Sequence, residues 1–80
     1  MRGELTSVEA VFTPEGDITP RRFEWHGRML PVEGVGRRWR EANERCFNVM
    51  AMGGRVFQLR LNEQTLRWSI ARGPAPGVAV

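Results

Sequence analysis

Two arginines, Arg60 and Arg67, are the residues whose spacing points most directly to chemistry. Arg60 lies in one apolar, alternating run, and Arg67 lies in the next. A loop over 62–65 would place the two guanidinium groups directly opposite each other on the polar face of a hairpin. Like charges in that position destabilise a strand pair by roughly 0.2–1 kcal/mol. The pattern therefore predicts a compensating negative charge, which is either a carboxylate such as Glu24 or Glu63 or a bound anion.

The bound-anion alternative involves further residues. Small β-domains bind single-stranded nucleic acid with a basic groove and aromatic side chains on which bases stack. Arg37, Arg38 and Trp39 supply this mixture, and the predicted sheet places Asn48 opposite Arg60. The predicted site for nucleic acid or another polyanion therefore comprises Arg37, Arg38, Trp39, Asn48, Arg60 and Arg67.

No combination of residues predicts an active site. His26 is the only histidine and occupies a predicted turn, and Cys46 is the only cysteine, without a partner at the spacing of a zinc site. Ion pairs with neighbouring arginines account for Glu41 and Glu44. We therefore predict that the protein is not an enzyme and that it holds no metal and no cofactor.

Length and composition indicate one small basic domain. The chain has 80 residues and a net charge of +3, and all 12 of its basic residues are arginine. This bias is explained either by a genome rich in G and C or by a surface for polyanions, because arginine binds phosphate bidentately. No apolar run approaches the roughly 20 residues of a membrane span, and the N-terminus lacks a signal-peptide core. With a single cysteine, the expected location is the cytoplasm.

The C-terminal half predicts an antiparallel meander of three strands. A three-residue, bulged loop at 53–55 would pair Phe47 with Leu61, and the loop at 62–65 would pair Leu61 with Leu66. This odd-length loop makes the apolar sets of neighbouring strands coincide, whereas a two-residue loop would place Asn48 on the apolar face. The predicted apolar face comprises Phe47, Val49, Ala51, Phe57, Leu59, Leu61, Leu66, Trp68 and Ile70.

The N-terminal half predicts a strand over 4–13, a turn over 14–17 and a hairpin over 21–32 that starts after Pro20. A turn at His26-Gly27 would pair Phe23 with Leu30, and Arg28 would lie beside Trp25 in a cation–π contact. Residues 37–45 are interpreted as either a short helical turn or an irregular loop.

The predicted fold is therefore all-β. Five to six strands form a small antiparallel meander, which must curl to bury its apolar face and so would give an SH3-like, partly open barrel or roll. The predicted domain spans 1–72, and residues 73–80, with two prolines and two glycines, are predicted to form a flexible C-terminal tail.

Several short motifs in order along the chain resemble a small bacterial β-domain family of unknown function. They include Arg22-Phe-Glu-Trp-His-Gly-Arg28, Arg38-Trp39, Phe47-Asn-Val49 and Arg67-Trp68, and the resemblance covers about residues 18 to 72. The C-terminal segment of the Y-family-polymerase-like accessory protein of the bacterial mutasome is related to this family. The resemblance implies an accessory role in DNA damage tolerance, with the translesion-synthesis machinery as partner, and it implies no catalytic residue.

Two functions follow as expectations. The first is a non-enzymatic module that binds a protein partner, because open sheet edges accept an extended segment of another protein. The first strand is the expected edge, and Trp25 or Trp39 would serve as the anchor. The alternative is binding of single-stranded nucleic acid, which gains support if Trp39 is exposed among Arg37, Arg38 and Arg40.

Overall fold

The computed structural model describes residues 3–75, and all of their regular structure is β-strand apart from one short 3-10 turn. Five strands form one antiparallel sheet in the order β1-β8-β7-β6-β5, and three form a second in the order β2-β3-β4. The strands are β1 (Glu4–Thr6), β2 (Val8–Phe12), β3 (Ile18–Trp25), β4 (Arg28–Pro31), β5 (Gly34–Glu41), β6 (Glu44–Ala51), β7 (Arg55–Asn62) and β8 (Trp68–Ala75).

The all-β prediction is confirmed, although the chain forms eight strands in its described part instead of five to six. The predicted strand 4–13 is divided at Ser7, so that β1 joins the larger sheet and β2 the smaller one. After β4 the chain returns from the smaller sheet to the larger one, and at this point the amide of Glu33 donates to the carbonyl of Met50 at 2.7 Å. The two sheets do not join into a closed barrel among the described residues, so the SH3-like detail is not confirmed.

The core lies between the two sheets. Alternation in β6 and β7 sends every second side chain to this side, and Val49, Phe57 and Leu59 are completely buried there. From the smaller sheet, Phe23 places its ring 4.9 Å from the ring of Phe57 in an edge-to-face arrangement. Trp25 and Trp68, predicted in the core, are half-buried and pack against it.

The hairpin of β3 and β4 has the predicted register, with Phe23 opposite Leu30. His26 and Gly27 form its turn with φ angles of 52° and 78°, as a two-residue loop of this twist requires. The cation over Trp25 is Arg55, at 5.0 Å, and not the predicted Arg28. The strand also begins at Ile18, before Pro20, because a β-bulge opposite β2 accommodates the proline.

The loop between β6 and β7 has three residues, as predicted, but it consists of Met52–Gly54 instead of 53–55. Gly53 and Gly54 both adopt positive φ, and the register consequently differs from the predicted one by two residues. Phe47 lies opposite Leu59, and Asn48 lies opposite Gln58 instead of Arg60. Since strand side chains alternate with a period of two, this shift leaves every side chain on its predicted face.

The loop between β7 and β8 is longer than predicted and spans 63–67. The side-chain oxygen of Asn62 accepts hydrogen bonds from the amides of Gln64 and Thr65 at 2.8 and 3.0 Å, which fixes the loop. Arg60 therefore faces Ser69, and the predicted pairing of Arg60 with Arg67 is wrong. The prediction that Leu66 joins the apolar face is also wrong, because this loop residue is exposed and has a φ of 60°.

Residues 37–45, predicted as a helical turn or an irregular loop, instead form most of a β-hairpin. Strands β5 and β6 meet at a turn in which Ala42 has a φ of 50°. Strand β5 is difficult to recognise in the sequence for two reasons. It contains two glycines, and a bulge between Val35 and Arg38 interrupts its pairing with β6. The turn Pro14–Gly16 agrees with the prediction, since the amide of Gly16 donates to the carbonyl of Thr13.

The last strand continues beyond the predicted domain boundary at residue 72. Gly73, Pro74 and Ala75 belong to β8, and Ala75 lies opposite Val56. The remainder of the predicted flexible tail, 76–80, lies outside the described residues, as do residues 1 and 2.

Gly73 is predicted to be essential for this extension of β8. A Cβ atom there would lie 2.7 Å from the carbonyl oxygen of Val56 and 2.9 Å from the Cα of Phe57, and the φ of Gly73 is 119°. Gly73→Ala is expected to lower the free energy of unfolding by about 1–2 kcal/mol in urea titrations. Gly34→Ala is the matched control, because no heavy atom outside its neighbours lies within 4 Å of its added Cβ. Equal stability of the two variants would contradict the prediction.

Candidate functional site

The candidate site is the outer face of the five-stranded sheet, which is the side turned away from the core. Residues opposite each other on neighbouring strands share a face, so that one row of side chains crosses the outer face from β1 to β5. This row consists of Leu5, Ser69, Arg60, Cys46 and Trp39. A groove of about 850 Å³ lies on this face, and its lining includes Leu5, Gln58, Arg60, Arg67, Ser69 and Arg72.

Arg60 at the centre of the outer face is neutralised by the protein itself. Its guanidinium forms ion pairs with the carboxylates of Glu41 at 2.8 Å and Glu44 at 3.0 Å, and Nε donates to the side chain of Gln58. The hydrogen bond to Glu44 raises the pKa of Arg60 above its ordinary value. The compensating charge predicted for Arg60 is thus a carboxylate, supplied by Glu41 and Glu44 and not by Glu24 or Glu63.

Two other arginines of the groove differ from Arg60 in their surroundings. Arg67 and Arg72 are exposed, and neither guanidinium group forms a hydrogen bond or an ion pair with any residue in 3–75. Arg67 extends from the loop after β7, and Arg72 lies on β8 opposite Gln58. These two guanidinium groups are therefore available to an anionic ligand without displacing an internal partner.

The bulge in β5 determines which of the predicted arginines reach the outer face. It places Arg37 against Trp39, with the guanidinium carbon 4.6 Å from the centre of the ring. Arg38 lies on the opposite side of the sheet, where it is 5.7 Å from the ring of Phe47 and donates to the carbonyl of Ile18. Trp39 is half-buried, and it is not a member of the core.

The structure consequently brings together most of the predicted site and excludes one residue. Arg37, Trp39, Asn48 and Arg60 share the outer face, and Arg67 lines its groove, whereas Arg38 does not belong to this surface. Arg72 was not predicted, because the glycines and prolines that follow it conceal the end of β8. The contribution of Leu5 was also missed, since β1 lies at the other end of the chain.

Cys46 lies in the row between Trp39 and Arg60, and its side chain is completely buried. Burial raises the pKa of this thiol, although the nearby charge of Arg60 lowers it in part. We therefore expect the folded protein to react with iodoacetamide far more slowly than a free cysteine at pH 8, because the thiolate is the reactive form. The rate should rise with pH and should match that of free cysteine in urea. Rapid labelling of the folded chain would contradict this prediction.

An exposed apolar surface adjoins the groove on its β1 side. Leu5 and Leu66 are 64% and 72% exposed, the two largest exposed fractions among the large apolar side chains of the described residues. They line a second cleft, of about 370 Å³, together with Trp68 and Arg67. Leu5 and Arg67 line both the groove and the cleft, so that the basic and apolar surfaces are continuous.

Comparison with protein-family models, with curated proteins and with solved structures found no match in any of the three. Within the described chain, no helix has the length and apolar character needed to cross a membrane. The outer face itself is therefore the basis for a functional proposal.

Proposed function

We propose that the protein is a non-enzymatic interaction module that binds a protein partner on the outer face of its five-stranded sheet. The observation that carries this proposal is the continuity of two surfaces, a groove with the free arginines Arg67 and Arg72 and a cleft with the exposed leucines Leu5 and Leu66. Protein interfaces combine an apolar centre with polar groups and arginine around it, and this surface has both parts.

A protein partner explains these residues better than a nucleic acid does. Proteins that bind single strands stack bases on several exposed aromatic rings. In the row of side chains that crosses the outer face, Trp39 is the sole aromatic residue, and the guanidinium of Arg37 already lies over its ring. Arg60 is neutralised by two carboxylates, and the net charge of +3 is small for a polyanion-binding domain. The exposed leucines have no role in contacts with phosphate.

The resemblance of residues 18 to 72 suggests which partners to examine first. It supports an accessory role in bacterial DNA damage tolerance, in the cytoplasm, with a protein of the translesion-synthesis machinery as the partner. Binding of single-stranded nucleic acid remains the second candidate. It is favoured by one observation, the position of Arg37 and Trp39 on the same face as Arg60.

The proposal is tested with three forms of the full chain immobilised as bait in extracts of the native host. The forms are the wild type, the groove variant Arg67→Glu with Arg72→Glu, and a control, Arg21→Glu with Arg28→Glu. The control changes the net charge equally at exposed arginines of the smaller sheet. A partner, confirmed with purified protein, should bind the wild type and the control and lose at least about 90% of its binding to the groove variant, since buried charge contacts are costly to reverse.

Titration of labelled single-stranded DNA at low and high salt tests the alternative. Nucleic-acid binding is supported if affinity falls with salt and is lost in the groove variant and in Trp39→Ala, but not in the control. Equal capture of every protein by all three baits would refute binding at the outer face.

A further inference from the structure

We propose that the outer face binds an extended peptide in which an apolar side chain is followed by carboxylates, with the apolar residue in the cleft and the carboxylates on Arg67 and Arg72. This inference rests on the proposed function and specifies the chemistry of the partner. The occupant is identified by charge complementarity with the two free arginines and by the apolar cleft that is continuous with them.

The cleft is built to present Leu66 to a partner. Asn62 accepts two backbone hydrogen bonds and so fixes the loop, and Leu66 within it adopts a φ of 60°, which is uncommon for a residue other than glycine. This backbone conformation holds a leucine side chain 72% exposed beside Leu5. Burial of these two side chains under an apolar residue of the peptide would be favourable, because it removes apolar surface from water.

The charged part of the surface selects carboxylates. The guanidinium groups of Arg67 and Arg72 have no partner among residues 3–75, whereas Glu41 and Glu44 already bind that of Arg60. A ligand carboxylate can therefore form bidentate hydrogen bonds with either free guanidinium and lose no internal ion pair. Glu44 also lines the groove, and its charge would repel an acidic residue placed near Arg60. The two carboxylates of the peptide thus belong at the two free arginines.

The arrangement of the residues along β8 sets the order and length of the peptide. Leu66 and Arg67 precede β8 directly, and Arg72 lies on β8 five residues after Arg67. At about 3.3 Å per residue these positions are at most roughly 16 Å apart, and the irregular pairing of β8 before Arg72 shortens this distance, so that an extended segment of up to about five residues spans it. The apolar residue therefore occupies the end near Leu66, and the carboxylates occupy the adjacent position and the far end. Gln58 and Ser69 line the groove between these ends. Their side chains can donate hydrogen bonds to the peptide backbone or accept them from it.

A random decapeptide display library, selected on the full chain, tests the inference. Selection on the wild type should enrich peptides with one large apolar residue and two acidic residues within five positions. Leu66→Ser should remove the apolar preference and retain the acidic one, and Arg67→Glu with Arg72→Glu should remove the acidic preference. Two substitutions serve as controls that should leave both preferences unchanged. They are Met52→Ser, at an apolar residue that is 57% exposed and lies outside the groove and the cleft, and Arg28→Gln.

The affinity of a selected peptide, measured by fluorescence anisotropy, gives the second readout. We expect Arg72→Gln to weaken binding about tenfold and Leu66→Ser about fivefold, with the controls within about twofold of the wild type. Enrichment of peptides that are basic or that lack acidic residues, no enrichment, or an affinity that is unchanged in both variants would overturn the inference. Loss of a folded partner protein from the groove variant, together with any of those results, would leave the proposed function standing and refute only the peptide chemistry.

Discussion

Phe57→Ala is expected to lower the free energy of unfolding by about 3–5 kcal/mol, which is a large part of the total stability of so small a domain. The Phe57 side chain is 0% exposed and lies between the two sheets. Its ring makes edge-to-face contacts with Phe23 and Trp25 at 4.9 and 5.4 Å between centroids. Truncation would therefore remove apolar contact across the whole interface between the sheets and leave a cavity that few neighbours can fill.

Phe12→Ala is the matched control for this prediction, because it deletes the same ring from a strand of the smaller sheet where the side chain is 61% exposed. The control is expected to change stability by less than about 1 kcal/mol. Both variants should be measured by urea titration followed by tryptophan fluorescence and circular dichroism. If Phe57→Ala were as stable as Phe12→Ala, the packing of the two sheets described above would be incorrect.

Arg60→Gln is expected to lower the free energy of unfolding by about 1.5–3 kcal/mol at neutral pH. The substitution removes the cation that bridges Glu41 and Glu44, which lie opposite each other on β5 and β6. These two carboxylates would then repel each other across the strand pair. A second substitution, Glu41→Gln in the same chain, should restore about half of the lost stability, because one of the two like charges is removed.

Arg22→Gln provides the comparison for Arg60→Gln. Arg22 also forms an ion pair with a cross-strand carboxylate, that of Glu9 at 2.9 Å, but both side chains are more than half exposed. Its replacement should cost less than about 1 kcal/mol, as is usual for exposed pairs. Equal effects of the two substitutions, or no recovery in the double variant, would show that Arg60 does not organise the outer face.

The sequence predicts which side of the sheet each side chain occupies more successfully than it predicts which residues pair across neighbouring strands. Alternation in β6 and β7 assigns Phe47, Val49 and Phe57 to the core side whichever even shift of register occurs. The shift itself depends on the loops, where hydrogen bonds to Asn62 and positive φ angles at Ala42 and Leu66 decide the geometry. Positive φ angles are uncommon for alanine and leucine, so the local preferences of these residues do not predict the turns.

The difference between predicting faces and predicting pairing also explains which of the predicted site residues lie together. Trp39, Asn48 and Arg60 share the outer face, as the hypothesis of a common patch required. Arg38 does not, because a bulge reverses the alternation of β5 just before it. The apolar border of the groove could not be predicted, since Leu5 reaches the surface beside Ser69 only through pairing of the two ends of the chain.

That pairing of β1 with β8 joins Glu4 to Ile70, whereas the other strands of the larger sheet are connected by short turns. Closing so long a stretch of chain is entropically expensive, so the contact should form late in folding, after the hairpins have assembled. The amides of β1 should accordingly exchange with solvent sooner than those of β6 and β7, through local opening that leaves the rest intact. Leu5 would then line the groove only while the three-residue strand β1 is paired with β8. A partner that contacts Leu5 would bind more tightly to molecules in which β1 is paired than to those in which it is open.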